Sequence, residues 1–98
     1  MINSKQRSKL RSLAHHLKPV VIIGKAGITD GSTHSIDKAL DDHELIKVKS
    51  SDDKTIKTQL INLIENDLSA FLIGNVGHTF IIFRPQDDEN KRKIKIFL

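Results

Sequence analysis

The sequence predicts an α/β fold, a single domain in which three helices alternate with the strands of a mixed four-stranded sheet, in the order α-β-α-β-α-β-β. Three apolar stripes at helical spacing are separated by short β-branched runs, and two further β-rich runs follow. Helical crossovers between the first three strands imply parallel pairing, whereas the final hairpin adds an antiparallel pair. With 98 residues the chain can bury one core, so we predict one domain over residues 1–98, with a core at about 4–85 and a charged tail at 86–98.

The first helix is predicted from Ser4, a plausible N-cap, to Lys18, since the residue before Pro19 is driven away from the α region. Its apolar face consists of Leu10, Leu13, Ala14 and Leu17. Basic residues flank this face in pairs one turn apart, with Lys5 and Lys9 on one side and Arg7 and Arg11 on the other. The helix therefore presents positive charge along both borders of a buried seam.

The first strand is predicted at residues 20–23, a continuous β-branched run that is typical of a strand buried on both faces. The first helix is the element available to cover its second face, which would place the basic flanks beside the loop that follows. That loop is Gly24-Lys25-Ala26-Gly27, and Thr29 or Asp30 then caps a second helix. Its apolar face carries Ile36, Ala39 and Leu40.

The second half of the chain predicts a strand at residues 45–49, a third helix, and a hairpin of strands at 70–76 and 79–84 around Gly77-His78. The third helix, capped by Asp52 or Asp53, has an apolar face of Ile56, Leu60, Leu63, Ile64 and Leu68. We expect the second and third helices to cover one face of the sheet together.

Charge and composition favour an anionic partner in a reducing compartment. The formal net charge is +4 with a pI near 9.5, and residues 1–29 hold six basic and no acidic side chains, whereas residues 30–44 hold five acids and one lysine. Cysteine is absent, and no signal peptide or membrane-length apolar run is present. We therefore expect a cytoplasmic protein without a membrane partner, and a basic tail that serves as a mobile, solubilising end.

The glycine loop is a candidate phosphate site. Gly24 and Gly27 lack a Cβ that would hold a ligand away from the backbone, Lys25 supplies charge, and the next helix directs its N-terminus to the same region. The alternative is a strand-to-helix turn that requires glycine for its dihedral angles. The six unopposed basic residues nearby favour phosphate. Neither a Walker A nor a Rossmann pattern is present, so we expect no small-molecule substrate of those kinds.

Further cations lie on the strands. Lys47 and Lys49 alternate with apolar residues and so share one sheet face, where they could extend a basic surface or merely keep a sheet edge soluble. Arg84, at the end of the last strand, could bind a phosphate or pair with an acid of the second helix. Both alternatives remain open for each.

No catalytic or metal constellation is recognisable. His15 and His16 are adjacent and point about 100° apart on a helix, which is unsuitable for chelation. The acids Asp41, Asp42 and Glu44 are interpreted as a solvated helix end. Phe71, Phe80 and Phe83 lie in apolar runs, where core packing explains them. We therefore predict a non-enzymatic protein without cofactor or metal that recognises backbone and shape.

Four stretches carry a resemblance to a known family: Leu17-Lys18-Pro19-Val20-Val21, Gly24-Lys25-Ala26-Gly27-Ile28-Thr29, His43-Glu44-Leu45-Ile46-Lys47-Val48-Lys49 and Phe83-Arg84-Pro85. Together they resemble the bacterial YhbY family, the stand-alone form of the chloroplast RNA splicing and ribosome maturation (CRM) domain. The resemblance spans roughly Ser4 to Pro85. It implies a fold similar to the C-terminal domain of translation initiation factor three, a loop like that of KH domains, and association with precursors of the large ribosomal subunit.

The resemblance implies that Gly24, Lys25, Ala26 and Gly27 form an RNA-facing loop, with Lys18 and the basic first helix beside it. Combined with the charge pattern, it predicts an RNA-contacting set of Lys5, Arg7, Lys9, Arg11, Lys18, Gly24, Lys25, Ala26, Gly27, Lys47, Lys49 and Arg84. The function predicted is binding of the ribosomal RNA backbone during subunit assembly, by a monomer. The alternative is a protein-interaction module that docks on a ribosomal protein or assembly factor through the acidic second helix.

Overall fold

The computed structural model describes residues 2–95, which form three helices and one four-stranded sheet in the predicted order. The elements are α1 (Ser4–Ala14), β1 (Pro19–Ile23), α2 (Asp30–His43), β2 (Leu45–Ser50), α3 (Lys54–Asn62), a π-helical turn (Leu63–Asp67), β3 (Phe71–Val76), β4 (Thr79–Phe83) and a 3-10 turn (Glu89–Lys91). Capping boxes begin α1 at Asn3 and α2 at Thr29, and Asp53 caps α3. The fold class predicted from the sequence is confirmed.

The sheet has the strand order β1-β2-β4-β3. β1 and β2 are parallel, as predicted, and β4 is antiparallel to both β2 and β3. The predicted pairing of β2 with β3 is wrong, because β4 lies between them. β4 is buried from Phe80 to Phe83, whereas β3 has exposed residues at its end, so the more apolar strand of the hairpin takes the inner place.

One face of the sheet is covered by α2 and α3 together, as predicted. Ile36 and Leu40 of α2 and Ile56 and Leu60 of α3 pack in one buried cluster with the strands. The strand residues in this cluster are Ile23, Ile46, Val48, Phe80 and Ile82. Complete burial of an aliphatic side chain contributes about 1.5–3 kcal/mol, so this layer is the main source of stability.

The apolar stripe of the third helix continues past the α-helix itself. α3 ends at Asn62, and the Leu68 amide donates to the Leu63 carbonyl at 2.9 Å, which closes one π-helical turn. Leu63, Ile64 and Leu68 nevertheless stay buried in the same cluster. The sequence thus predicted the buried face correctly, although the helix type changes within it.

The opposite face of the sheet is only partly covered by α1. Leu10 and Ala14 of α1 pack on a second cluster whose strand residues are Leu45, Ile73, Ile81 and Phe83. The Arg7 guanidinium fixes the helix to β3 by donating to the carbonyls of Leu72 and Ile73, at 2.8 Å each. An 11-residue helix is only about 16 Å long, and this one lies over β2, β4 and β3.

β1 is therefore an edge strand with one open face, and the prediction that it is buried on both faces is wrong. Ile23 is 2% exposed, but Val20 is 49% and Ile22 is 71% exposed. A β-branched run looks the same in the sequence whether one face is covered or two. Pro19 at the first position was the available signal, since proline in sheets is confined to edges and strand starts.

The charged tail packs on the domain up to Ile94, so the expectation of a mobile end is wrong for this part of it. Glu44 follows α2 with φ +65° and is fully buried. Its carboxylate accepts hydrogen bonds from the backbone amides of Gln86 (2.8 Å), Lys93 (2.7 Å) and Ile94 (3.0 Å). Ile94 packs against the second cluster. Glu44 is thus buried and binds the backbone of the tail, and the interpretation of Glu44 as part of a solvated helix end is wrong. Residues 96–98 lie outside the described residues.

Candidate nucleic-acid interface

Acidic and basic side chains occupy different parts of the fold. The 12 acids lie on α2 and its end, before α3, in the π-helical turn and in the tail. None lies in α1, in the segment 15–29 or in any of the four strands. The side of the sheet on which α1 packs therefore carries cations without opposing acids on its own elements, which favours an anionic ligand there.

The part of this side that α1 leaves uncovered is formed by β1 and β2. We call it the open sheet face and define it by Val20, Ile22, Lys47 and Lys49. Ile22 pairs with Lys49 across the two strands, whereas Val21 and Val48 face the opposite, covered side. Lys49 is exposed, and Lys47 donates to the Leu17 carbonyl at 3.1 Å, which leaves two of its three donors for a ligand. Aliphatic and ammonium groups thus alternate on one surface.

The glycine loop continues this surface at the end of β1. The Gly27 amide donates to the Gly24 carbonyl at 3.0 Å, which closes a tight turn with Lys25 and Ala26 exposed at its tip. Gly27 has φ +81°, a conformation that side-chain-bearing residues rarely adopt. A Cβ added to Gly24 would meet nothing within 4 Å. Turn geometry therefore explains Gly27, and the open approach at Gly24 is compatible with a backbone phosphate.

The start of α2 contributes less to anion binding than the sequence suggested. Thr29 and Ser32 cap each other's backbone amides, at 2.8 Å and 3.1 Å. Asp30 adds a negative charge in the first turn. The amides of Thr29 and Ser32 already have side-chain acceptors, and the Asp30 carboxylate lies in the same turn, so this helix N-terminus is a poor site for a phosphate.

The predicted cations do not all lie beside the glycine loop. Gly27 lies next to Ile56 and Gln59 of α3, whereas α1 lies over the other strands, so the basic flanks of α1 border β3 and solvent. Lys5 and Lys9 are exposed on α1. Lys18 and Lys25 lie at opposite ends of β1, roughly 16 Å of strand apart. The predicted cations of these two strands and their ends thus form an extended band along β1 and β2, not a cluster around the loop.

Two predicted cations are engaged within the protein. Arg7 holds α1 to β3, as described above. Arg84 donates to the carboxylates of Asp37 at 2.8 Å and Asp41 at 2.9 Å, and to the Leu68 carbonyl at 3.0 Å. Of the two alternatives for Arg84, the structure has the pairing with acids of α2. We therefore correct the predicted set and leave Arg84 out of the interface.

Sequence reasoning missed the exposed aliphatic groups of this side and one histidine. Val76, at the end of β3, is 73% exposed, and His15, just beyond α1, lines the same cavity. His15 had been considered only for metal binding. The sequence around Val76 does not indicate that its side chain is exposed, and the residues that line the cavity with it, Arg11 and His15, are about 60 positions away in sequence.

The fold and its basic side define a class of small α/β domain, and the chain belongs to the CRS1 / YhbY (CRM) domain family, whose model matches residues 2–84. The chain is 40% identical over 88 residues to a protein of Haemophilus influenzae named "RNA-binding protein", with 89% of each chain covered. It is 32% identical to the "Probable RNA-binding protein YqeI" of Bacillus subtilis, over 94% of this chain and 96% of that one. The predicted family is confirmed.

A solved structure shares the fold. The solution structure of a hypothetical protein of Staphylococcus aureus superposes with a TM-score of 0.76 and is 30% identical, covering 96% of this chain and 99% of that one. Within residues 2–95, no helix has the length and apolar character needed to cross a membrane. In the same residues, no three histidine or acidic side chains converge as a metal site would require.

Proposed function

We propose that the protein binds RNA through the open sheet face and the glycine loop. The observation that carries this proposal is the band of lysines that runs along β1 and β2, formed by the exposed Lys18, Lys25 and Lys49 and the half-buried Lys47. No acid lies in α1, in residues 15–29 or in the four strands. The names of the relatives in Haemophilus influenzae and Bacillus subtilis support it. Lysine contacts to phosphate supply affinity that depends on salt and is largely independent of base sequence.

Recognition rests mainly on the RNA backbone and its shape. Among the described residues, Phe80 and Phe83 are fully buried and Phe71 is half-buried, so these rings do not form an exposed platform for stacked bases. The closely approachable backbone at Gly24 and the flexible ammonium groups of Lys25 and Lys49 suit phosphate and sugar oxygens instead.

The biological RNA in this proposal is ribosomal. We infer that a cytoplasmic monomer associates with precursors of the large ribosomal subunit and assists their assembly as a non-enzymatic binding protein. The family membership supports this proposal. The basic surface supports it too, because lysines that contact phosphates do not read a base sequence, and folded ribosomal RNA offers dense phosphate surfaces rather than one short motif.

The binding site is tested with a pair of double variants that each remove two positive charges. Lys25→Ala with Lys49→Ala should weaken binding to ribosomal RNA fragments and lower the slope of log affinity against log salt by about two. The matched control is Lys38→Ala with Lys57→Ala, because both lysines are already in ion pairs, with Asp42 and Asp52. Binding is measured by fluorescence anisotropy across a salt series, and folding by circular dichroism. Equal weakening by both double variants would contradict the site.

The ribosomal role is tested by sedimentation of cell extracts on sucrose gradients. The protein should migrate with particles that contain unprocessed large-subunit RNA and be depleted from mature subunits. An antibody is preferable to a terminal tag, because both Ile2 and Ile94 pack in the second cluster. Migration only at the top of the gradient, in extracts that retain precursor particles, would contradict this role.

The alternative of a protein-docking module through α2 is less favoured by the structure. Asp37 and Asp41, which would make that helix attractive to a basic partner, are both held by Arg84. A partner would have to displace this pair before it could use either carboxylate. RNA binding requires no such displacement.

A further inference from the structure

A cavity of about 330 Å³ lies between the end of α1 and the hairpin, and the RNA-backbone proposal does not account for it. It is lined by Arg11, His15, Lys47, Val76, Thr79 and Ile81. Ile81 is buried and forms an apolar floor, and Val76 forms an exposed apolar wall. The cavity adjoins the open sheet face through Lys47.

Gly74 of β3 makes room for the Arg11 side chain. A Cβ added to Gly74 would lie 3.1 Å from the Arg11 Nε, tighter than an ordinary contact, so the absent side chain leaves room for the guanidinium on the backbone. Gly74 also follows an irregularity in the pairing of β3 with β4. The planar guanidinium thus rests on β3 at the rim of the cavity.

The chemistry of the lining selects an anionic ligand with a flat apolar part. Arg11, Lys47 and His15 supply nitrogen donors, Thr79 supplies a hydroxyl, and in the described part of the chain no acidic side chain pairs with any of the three. Guanidinium planes stack on nucleobases and also bind phosphate, whereas an ammonium group does only the latter. Pockets for small ligands begin at about 300 Å³.

We propose that this cavity accepts one unpaired nucleotide of the bound RNA. The base lies against Ile81 and Val76 with Arg11 over its face, and the adjacent phosphate is bound by Lys47 and His15. The proposal rests on the RNA-binding function inferred above and narrows its substrate, because a paired base would first have to unstack and unpair to enter the cavity, whereas an unpaired base avoids most of this cost. The preferred RNA is a helix interrupted by a bulge or loop.

The test compares three RNA hairpins that have the same stem: fully paired, with a one-nucleotide bulge, and with an abasic nucleotide at the bulge. The abasic hairpin keeps the backbone distortion but lacks the base. Wild-type protein should bind the bulged hairpin about tenfold more tightly than the abasic one. Equal binding of all three with a steep salt dependence would overturn the nucleotide site and leave the RNA-binding proposal intact. No binding to any hairpin would overturn both.

Two variants remove the pocket chemistry without changing the net charge. Arg11→Lys keeps the cation but loses the planar stack, and Val76→Ser removes the apolar wall at an exposed position. Each should reduce the tenfold preference to about two- to threefold. The matched controls are Lys49→Gln, which should weaken binding of all three hairpins equally, and Leu13→Ser, at an exposed position of α1 outside the cavity and the open sheet face, which should leave the preference unchanged. A preference that survives both pocket variants would overturn the proposal.

An acidic protein segment is the competing occupant. Polyglutamate can be used to compete with the bulged hairpin for the protein. It should displace the hairpin from the wild-type protein no more effectively than from the Arg11→Lys variant. Stronger competition in the wild-type complex, together with loss of the difference between bulged and abasic hairpins, would assign the cavity to an acidic partner instead. Thermal unfolding of each variant checks that the fold is retained.

Discussion

The two faces of the sheet differ in how completely helices cover them and in the charge of the side chains they carry. On the α2 and α3 side the inward-facing residues of β2 and β4 are fully buried, and Arg84, at the end of β4, is bound by two carboxylates. On the α1 side the cover stops short of β1, and the exposed Lys49 lies beside the exposed Ile22. A cation with two protein partners stabilises the fold, whereas a cation beside uncovered aliphatic groups is available to a ligand. The α2 and α3 side thus contains the larger buried cluster, and the α1 side contains the surface on which we propose that RNA binds.

The largest expected effect separates the two faces within a single strand. Ile23→Ala should lower the free energy of unfolding by about 3 kcal/mol, because Ile23 is 2% exposed and its truncation leaves a cavity in the main core. Ile22→Ala, one residue earlier and 71% exposed, should change it by less than about 0.5 kcal/mol. Urea unfolding measures both. Similar losses for the two variants would show that α1 or another element covers β1 in solution.

The next effect concerns Glu44, which follows α2 and binds the backbone of the tail. Glu44→Ala should lower the free energy of unfolding by about 2 kcal/mol, because three backbone amides lose their buried carboxylate acceptor. The loss is limited because some of these amides can hydrogen-bond to water once the tail is released. Glu44→Gly is the control: it loses the same carboxylate but relieves the positive φ, so it should be about 1 kcal/mol more stable than the alanine variant.

Limited proteolysis adds a second measurement for Glu44. In both variants, cleavage within residues 86–95 should become faster than in the wild-type protein, since the amides of Gln86, Lys93 and Ile94 no longer have their common acceptor. Unchanged cleavage would show that Ile94 packing alone retains the tail.

A smaller effect distinguishes Arg84 from the cations of the open sheet face. Arg84→Ala should lower the free energy of unfolding by about 1 kcal/mol, because two carboxylates and the Leu68 carbonyl lose a donor near the surface. RNA affinity should stay within about twofold of wild type, in contrast to a lysine contact, whose loss weakens binding. If Arg84→Ala lowers RNA affinity by more than the loss of stability can explain, Arg84 belongs to the interface.

The smallest expected effect on stability, and the sharpest on binding, comes from single lysines of the two sides. Lys49→Ala should leave the free energy of unfolding within about 0.5 kcal/mol and lower the salt slope of RNA binding by about one. Lys38→Ala removes the same charge from α2, where it pairs with Asp42, and should leave the slope unchanged. Equal salt slopes for the two variants would show that RNA affinity depends on the net charge of the protein and not on which face of the sheet carries the lysine.

The layers of the fold were predictable because burial on one side leaves a local pattern. Ile56, Leu60, Leu63 and Ile64 recur at helical spacing, and the buried face they predict is the observed one even where the helix becomes a π turn. Strand order was not predictable in the same way. β3 and β4 are both apolar, and only their relative burial in the assembled sheet decides that β4 lies next to β2.

The site was predictable in its residue types but not in their roles. Lys47 and Lys49 follow from strand alternation alone, and the structure puts both on the side that α1 leaves partly open. Arg84 and Glu44 have partners more than 40 residues away in sequence, so no local pattern marks them as structural. The cavity beside Arg11 depends on where a helix crosses a hairpin, which the sequence does not encode at any one position.

The separation of acids from cations also affects how the protein reaches its ligand. A molecule with carboxylates on α2 and ammonium groups on the opposite side of the sheet has an electric dipole, and a polyanion exerts a torque on it before contact. If RNA binds on the α1 side, as we propose, we expect the protein to approach RNA with this side leading, so that fewer encounters have an unproductive orientation. Removing an acid such as Asp42 would raise the net positive charge yet reduce this orientation, so its effect on the association rate would be smaller than the added charge alone implies.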